Sequence, residues 1–212
     1  MKKDFVEEMN LENIPKYQKP HMILLSGLPG SGKTYVARQL SIKHKLFLLS
    51  TDYVRNYYYS HPEEIKGIKI PLRVSAISSE RLTQLLFNHV SFIFDKDVNT
   101  HKELKTYQRL SKAFGYELLL IGIESEDKDN IERISKRVMD FDKVINGVVG
   151  DNVHYESAYS DDCYYEIKDR KPRELTYTDF DYIIKNNGTK KDLDKKINVI
   201  SKSLSHKLVK AK

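Results

Sequence analysis

Residues 27–34 read Gly-Leu-Pro-Gly-Ser-Gly-Lys-Thr. This G-x-x-x-x-G-K-T run lies between an apolar segment, Met22-Ile23-Leu24-Leu25-Ser26, and a segment with apolar residues at Val36, Ala37 and Leu40. A strand feeding a glycine-rich turn that opens a helix is the context this motif requires. In Gly27-Leu28-Pro29-Gly30-Ser31-Gly32 the glycines let the backbone wrap round a phosphate with its amide hydrogens pointing inward. The helix then presents its positive N-terminal end to the same anion. Lys33 brings a point charge to the β- and γ-phosphates, and Thr34 brings a hydroxyl to Mg²⁺. The run therefore predicts a site for a nucleoside triphosphate with its metal ion, on a strand–loop–helix unit.

The rest of the chain follows the same alternation. Apolar runs at 46–49, 90–94, 117–123 and 182–184 predict further strands, and 33–44, 52–60, 72–88, 100–114, 129–139 and 189–208 read as helices. Thr100 is a candidate cap and Gly115 a terminator for the fourth of these helices. Strands alternating with helices predict an α/β fold, a five-stranded parallel sheet covered on both faces. Residues 1–20 are polar and end in Lys19-Pro20, as an arm before a domain spanning 21–212. Residues 140–174, tyrosine-rich and weakly periodic, stand where a lid would interrupt it.

Composition excludes other classes. Of the 212 residues 40% are hydrophobic and 31% charged, too apolar for a disordered chain. One cysteine, Cys163, rules out an internal disulfide and fits a reducing, cytoplasmic setting. Residues 1–10 carry Asp4, Glu7 and Glu8 and no apolar run, unlike a signal peptide. No stretch reaches the roughly 18–20 apolar residues of a membrane helix, so no membrane partner is expected. The net charge of +6 is unevenly placed: residues 185–212 hold nine lysines and two aspartates, leaving −1 for residues 1–184. Such a segment either offers a polyanion a surface or forms a solvated lysine-rich helix, and the second reading is the simpler. No feature of the sequence specifies an oligomeric state.

Three further clusters carry candidate chemistry. In Leu49-Ser50-Thr51-Asp52-Tyr53-Val54-Arg55 a carboxylate follows a strand, at the sheet edge where open parallel sheets bind ligands. Were this strand the neighbour of the first, Asp52 would face the terminal phosphate and take the proton from an attacking hydroxyl. The same position suits a helix cap. Arg55 lies one helical turn on, placed to hold a substrate phosphate. Phe92-Ile93-Phe94-Asp95-Lys96-Asp97-Val98-Asn99 is an apolar strand ending in Asp, a pattern whose carboxylate holds Mg²⁺ or its waters. Asp95, as the first residue off the strand, is the better candidate, and Asn99 is a candidate substrate contact. Arg133 and Arg137 share a helix face before the lid and can clamp phosphates, though a cationic stripe has the same pattern. Tyr53, Tyr57, Tyr58 and Tyr59 can stack on bases, but the last three are consecutive and point in different directions, which favours packing.

In order and spacing these pieces, over residues 21–140, resemble the polynucleotide-kinase and zeta-toxin-like group of P-loop kinases, of the AAA-type ATP-binding class, and within it the 5′-kinase domains of bacteriophage polynucleotide kinases. The resemblance implies a nucleoside-monophosphate-kinase-like fold with a lid, using ATP and Mg²⁺. It implies that Asp52 is the general base toward an acceptor hydroxyl, that Arg55 contacts the acceptor's phosphate, and that Arg137 closes over the donor phosphates. Asp95 would sit near the acceptor or the metal's water shell, and Asn186 to Gly188 near the adenine. The acceptor it implies is the 5′-hydroxyl of a polynucleotide. The sequence departs from the group in carrying Asp95-Lys96-Asp97 where Asp-x-Asn is usual, and in its acidic, aromatic lid. A nucleotide-sugar or small-molecule acceptor, or a non-catalytic nucleotide-binding module, would share the same loop.

Overall fold

A computed structural model describes residues 11, 14–60, 69–133 and 174–211, with backbone alone at 56–60 and 70. Its elements in chain order are β1 (His21–Gly27), α1 (Lys33–His44), β2 (Phe47–Ser50), α2 (Thr51–Ser60), α3 (Ile70–Phe87), β3 (Phe92–Asp97), α4 (His101–Ala113), β4 (Glu117–Glu124), helical residues 127–133 (α5), a 3₁₀ turn (Tyr177–Asp179), β5 (Tyr182–Lys185) and α6 (Lys190–Lys207). All five strands are parallel, in the order β2-β3-β1-β4-β5. The five-stranded parallel α/β sheet expected from the sequence is the one found. Its carboxyl edge gathers every loop that carries chemistry.

Two apolar layers hold the sheet. Ile23, Leu25, Ile93, Leu119, Ile121 and Ile123 face Val36, Ala37 and Leu40 of α1 and Leu193, Ile197, Ile200 and Leu204 of α6. Met22, Leu24, Phe92, Phe94 and Leu120 face Leu85 of α3 and Leu104 and Tyr107 of α4. The lysine-rich C-terminal segment is thus an amphipathic helix: one stripe is buried, and Lys191, Lys195 and Lys202 are exposed. Thr189 caps it in a capping box with Asp192, and Thr100 does the same for α4 with Glu103.

Three sequence expectations change. β2 does not adjoin β1, because β3 is inserted between them. β3 runs on to Asp97, so Asp95 lies inside a strand rather than just past one. Finally, the stretch 14–20, expected within an arm, is bound to the domain. Tyr17 is buried, its hydroxyl donates to the His44 carbonyl, and Tyr17 forms a bridge with Lys210. The Gln18 amide donates to Val209 and the Ala211 amide to Lys16, so both ends of the described chain are tied together. Arg137 and the expected lid up to residue 173 lie outside the described residues, as does Cys163. No described helix is long and apolar enough to cross a membrane.

Candidate active site

The glycine-rich loop leaves β1 at Gly27, closes a turn from the Ser31 amide to the Leu28 carbonyl (3.0 Å), and enters α1 at Lys33. Gly30 (φ 78°) and Gly32 (φ 97°) are left-handed, a region that costs other residues steric strain. A Cβ on Gly30 would stand 2.7 Å from the Asn130 carbonyl oxygen, and one on Gly32 2.8 Å from the Asn186 amide nitrogen. The loop is therefore pressed between α5 and the β5–α6 turn. Gly32 caps α1 without a side chain, so the first amides of the helix remain for an anion. Lys33 Nζ donates to the carbonyls of Gly27 (2.7 Å) and Leu28 (3.0 Å), which holds its charge over the loop.

Beneath the loop, the Asp95 carboxylate lies close to the Thr34 side chain. Ser50 Oγ donates to its Oδ2 (3.2 Å). Asp95 is 4% exposed. Burial pushes its carboxyl up to about 6, and the nearby Asp52 adds to this, while the Thr34 and Ser50 hydroxyls and the Lys33 charge act the other way. Asp52 lies in the first turn of α2, after Thr51, and is paired with Arg55 one turn on, both side chains partly exposed. Because α2 begins at Thr51, Asp52 lies inside the first turn rather than at the cap position. Although β2 is not next to β1, Asp52 still reaches the site, because β3 carries Asp95 into the gap between them.

Asp95 and Asp97 part company through a bulge. Opposite Leu24 and Leu25 of β1 the register jumps from Phe94 to Asp97. Two extra residues, Asp95 and Lys96, stand on β3 at that point, and such an insertion re-aims the side chains that follow it. Asp97 consequently accepts from the Gly27 amide (3.2 Å) and fixes the root of the loop, while Asp95 stays with Thr34 and Ser50. Asn99 Oδ1 accepts from Ser26 Oγ (3.3 Å). Arg133, expected at the substrate, instead donates to the Gly30 carbonyl (3.2 Å) and the Asn186 carbonyl (2.9 Å). Asn130 and the directions of Asp97 and Asn186 had no sequence signal of their own, since each meets the loop across a long stretch of chain.

These residues fit a magnesium nucleotide. Thr34 and Asp95 supply hard oxygen ligands side by side under a phosphate-binding loop, the donor set Mg²⁺ prefers, with substrate phosphates and water completing its shell. Among the described residues no group of three or more His, Cys, Asp or Glu could cage a metal by itself. Ser31 Oγ and Asn130 Nδ2, both buried beside Gly30, have no hydrogen-bond partner among the described residues. Next to the loop, a cleft of about 490 Å³ is lined by Gly27, Leu28, Asn99, Glu124, Tyr177 and Asn187, among others.

Comparison with known proteins agrees with this geometry. A family model described as an AAA domain matches residues 22–149. The chain belongs to that family. Adenylate kinase of Streptococcus gordonii is 27% identical over 165 residues, covering 71% of this chain and 75% of the relative. A protein of Chloroflexus aurantiacus provisionally named a kinase superposes with TM-score 0.57 at 17% identity, covering 89% of this chain and 98% of its own. The APS kinase of Mycobacterium tuberculosis, solved with AMPPNP and APS, gives 0.53 at 14% identity, with 88% and 98% covered. The fold of this AAA-domain protein is accordingly that of the P-loop kinases.

Proposed function

We propose that this protein is an ATP-dependent kinase that transfers the γ-phosphate to an acceptor hydroxyl. The observation that carries this is the glycine-rich loop itself, with Gly30 and Gly32 left-handed, the first amides of α1 uncapped by any side chain and the Lys33 charge held over the loop carbonyls, beside the buried Asp95. The loop amides and Lys33 hold the triphosphate and stabilise the charge that builds on it during transfer. Thr34 and Asp95 would hold Mg²⁺ or its waters, and the ion when bound neutralises phosphate charge. Asp52 accepts the proton of the acceptor hydroxyl as its oxygen bonds to the γ-phosphorus and the bond to the ADP oxygen breaks. Arg55 keeps that carboxylate in place, and the sequence resemblance assigns it to an acceptor phosphate. Arg137 is assigned to the donor phosphates through the sequence resemblance alone.

The resemblance also supplies the proposed acceptor, the 5′-hydroxyl of a polynucleotide. A second reading, a small-molecule acceptor, is favoured by the cleft beside Gly27 and Leu28, whose volume is that of a small-ligand site. The test is incubation with γ-labelled ATP, Mg²⁺ and a panel of acceptors: 5′-hydroxyl oligonucleotides, adenylate, APS, sugars and nucleotide sugars. Label at an oligonucleotide end supports the first reading, and label on a small molecule supports the second. Label on adenylate moves the acceptor from a hydroxyl to a phosphate. ATP binding with no transfer leaves a nucleotide-binding module in place of an enzyme.

A further inference from the structure

Three segments far apart in sequence meet on the backbone of the glycine-rich loop. The Asn186 side chain, 6% exposed, donates from Nδ2 to the Ser31 carbonyl at 2.7 Å. The Asn186 backbone carbonyl accepts from Arg133 Nη2 at 2.9 Å, and Arg133 Nη1 donates to the Gly30 carbonyl at 3.2 Å. Asp129, one turn back on α5, lies 3.9 Å from the guanidinium. Gly30 and Gly32 have no room for a Cβ against Asn130 and Asn186, so these contacts close round the loop without slack. Two successive carbonyls, those of Gly30 and Ser31, are thereby turned outward, to Arg133 and to Asn186. In a trans peptide the amide faces away from its carbonyl. The Ser31 amide, opposite the Gly30 carbonyl, closes the turn to the Leu28 carbonyl at 3.0 Å, and the Gly32 amide, opposite the Ser31 carbonyl, is turned to the other side, where an anion sits.

We infer that Arg133 and Asn186 form a latch, Arg133 holding the turn that the Ser31 amide closes and Asn186 setting the direction of the Ser31–Gly32 peptide, and so position the Gly32 amide and the start of α1 for the phosphates of the nucleotide. This rests on the reading of the loop as an ATP site, and it assigns both as positioning residues rather than substrate contacts. The forked guanidinium is needed because it spans two carbonyls at once. Lysine carries the same charge but a single point of donation. The carboxamide of Asn186 is needed as a donor to the Ser31 carbonyl.

The latch predicts a specific pattern of loss. Because it acts on the peptides that face the phosphates, its removal weakens ATP and ADP and leaves the contribution of the adenosine part alone. Titration calorimetry with a non-hydrolysable ATP analogue and with ADP, and competition with AMP, are carried out on the full chain, Arg133→Lys, Asn186→Ala and the double variant, with thermal melts to confirm folding. The expected result is about a tenfold loss for the triphosphate in each single variant, the scale of losing one buried hydrogen bond. AMP competition should change less than twofold, and the double variant should be little worse than either single one, as for residues acting through a shared contact. A purely electrostatic Arg133 would keep full affinity as lysine, and a base-contacting Arg133 would lose AMP and ATP alike while Asn186→Ala changed nothing. Either outcome overturns the latch. Failure of the unmodified chain to bind the analogue overturns the ATP reading and the latch with it, whereas normal binding by every variant overturns the latch alone.

Discussion

The Ser50 hydroxyl donates a hydrogen bond to the Asp95 carboxylate at 3.2 Å, which joins the end of β2 to the residue opposite it on β3. A carboxylate this buried is held at a cost to the fold. Its carboxyl is pushed up to about 6 from an ordinary value of 3.8, chiefly by burial. A raised acid favours the folded state when protonated. That contribution is complete below pH 3.8 and is lost as pH rises through about 6. Asp95→Asn keeps an oxygen for the Ser50 hydroxyl and removes the buried charge. In nucleotide-free, Mg²⁺-free protein this variant should be more stable than the parent at pH 8, by up to about 3 kcal/mol, with the difference gone near pH 4. Urea midpoints across pH measure this. Equal midpoints at pH 8 would show that the carboxylate is not held at a cost, and activity in the variant should fall even as stability rises.

Asp52 and Arg55 carry the second prediction. If Asp52 accepts the hydroxyl proton, Asp52→Asn should retain ATP affinity and lose phosphotransfer by about 10²-fold or more, the scale of a missing general base. Arg55→Ala removes the partner without removing the base, so it should raise KM for a phosphate-bearing acceptor more than it lowers kcat. Steady-state rates with saturating ATP separate the two. Near-full activity in Asp52→Asn would take the residue out of the role.

The loop's own geometry gives the third. Gly30→Ala forces a side chain into left-handed backbone and to 2.7 Å from the Asn130 carbonyl oxygen. Strain of this kind costs about 1–3 kcal/mol. The variant should unfold at lower denaturant and bind ATP more weakly, since α5 must back away from the loop. Gly115→Ala is the control: its φ is also positive, at 71°, but a Cβ there meets nothing within 4 Å, and it lies far from the nucleotide. It should lose stability and keep ATP affinity.

Local chemistry explains which parts of this fold could be read ahead. The α1 boundaries, the Thr100 cap, the Gly115 stop and the phosphate loop each depend on residues within a few positions of one another, so sequence alone placed them. Strand order depends on which apolar faces meet, and nothing in Leu46–Leu49 records that β3 would slide in beside β1. The bulge that separates Asp95 from Asp97 is likewise a property of pairing. Arg133 shows the same divide at the site: its position on a helix face was legible, but its carbonyl partners come from segments about 50 and 100 residues away.

The exposed face of α6 supplies the last prediction, which bears on the proposed polynucleotide acceptor. Lys191, Lys195 and Lys202 stand out from the helix, Lys195 beside Asp192 (3.4 Å) but still exposed, whereas Lys207 reaches toward Glu117 and Asp181 and Lys190 lies over the Tyr35 ring. The capped start of α6 lies next to Gly32, through Asn186 and Leu193, so this row of lysines leads away from the phosphate loop. A single strand whose end is at the loop would run along it. Each phosphate neutralised on a single strand contributes about −0.7 to the slope of log affinity against log salt. Three contacts therefore predict that replacing Lys191, Lys195 and Lys202 by alanine makes the slope shallower by about 2, with little effect on ATP binding. Fluorescence anisotropy of a labelled oligonucleotide from 50 to 200 mM salt, on the order of the range over which such contacts are lost, reads it directly. An unchanged slope would leave these lysines as a solvated face, and oligonucleotide binding too weak to measure in the parent would turn the search for an acceptor toward the cleft at Gly27 and Leu28.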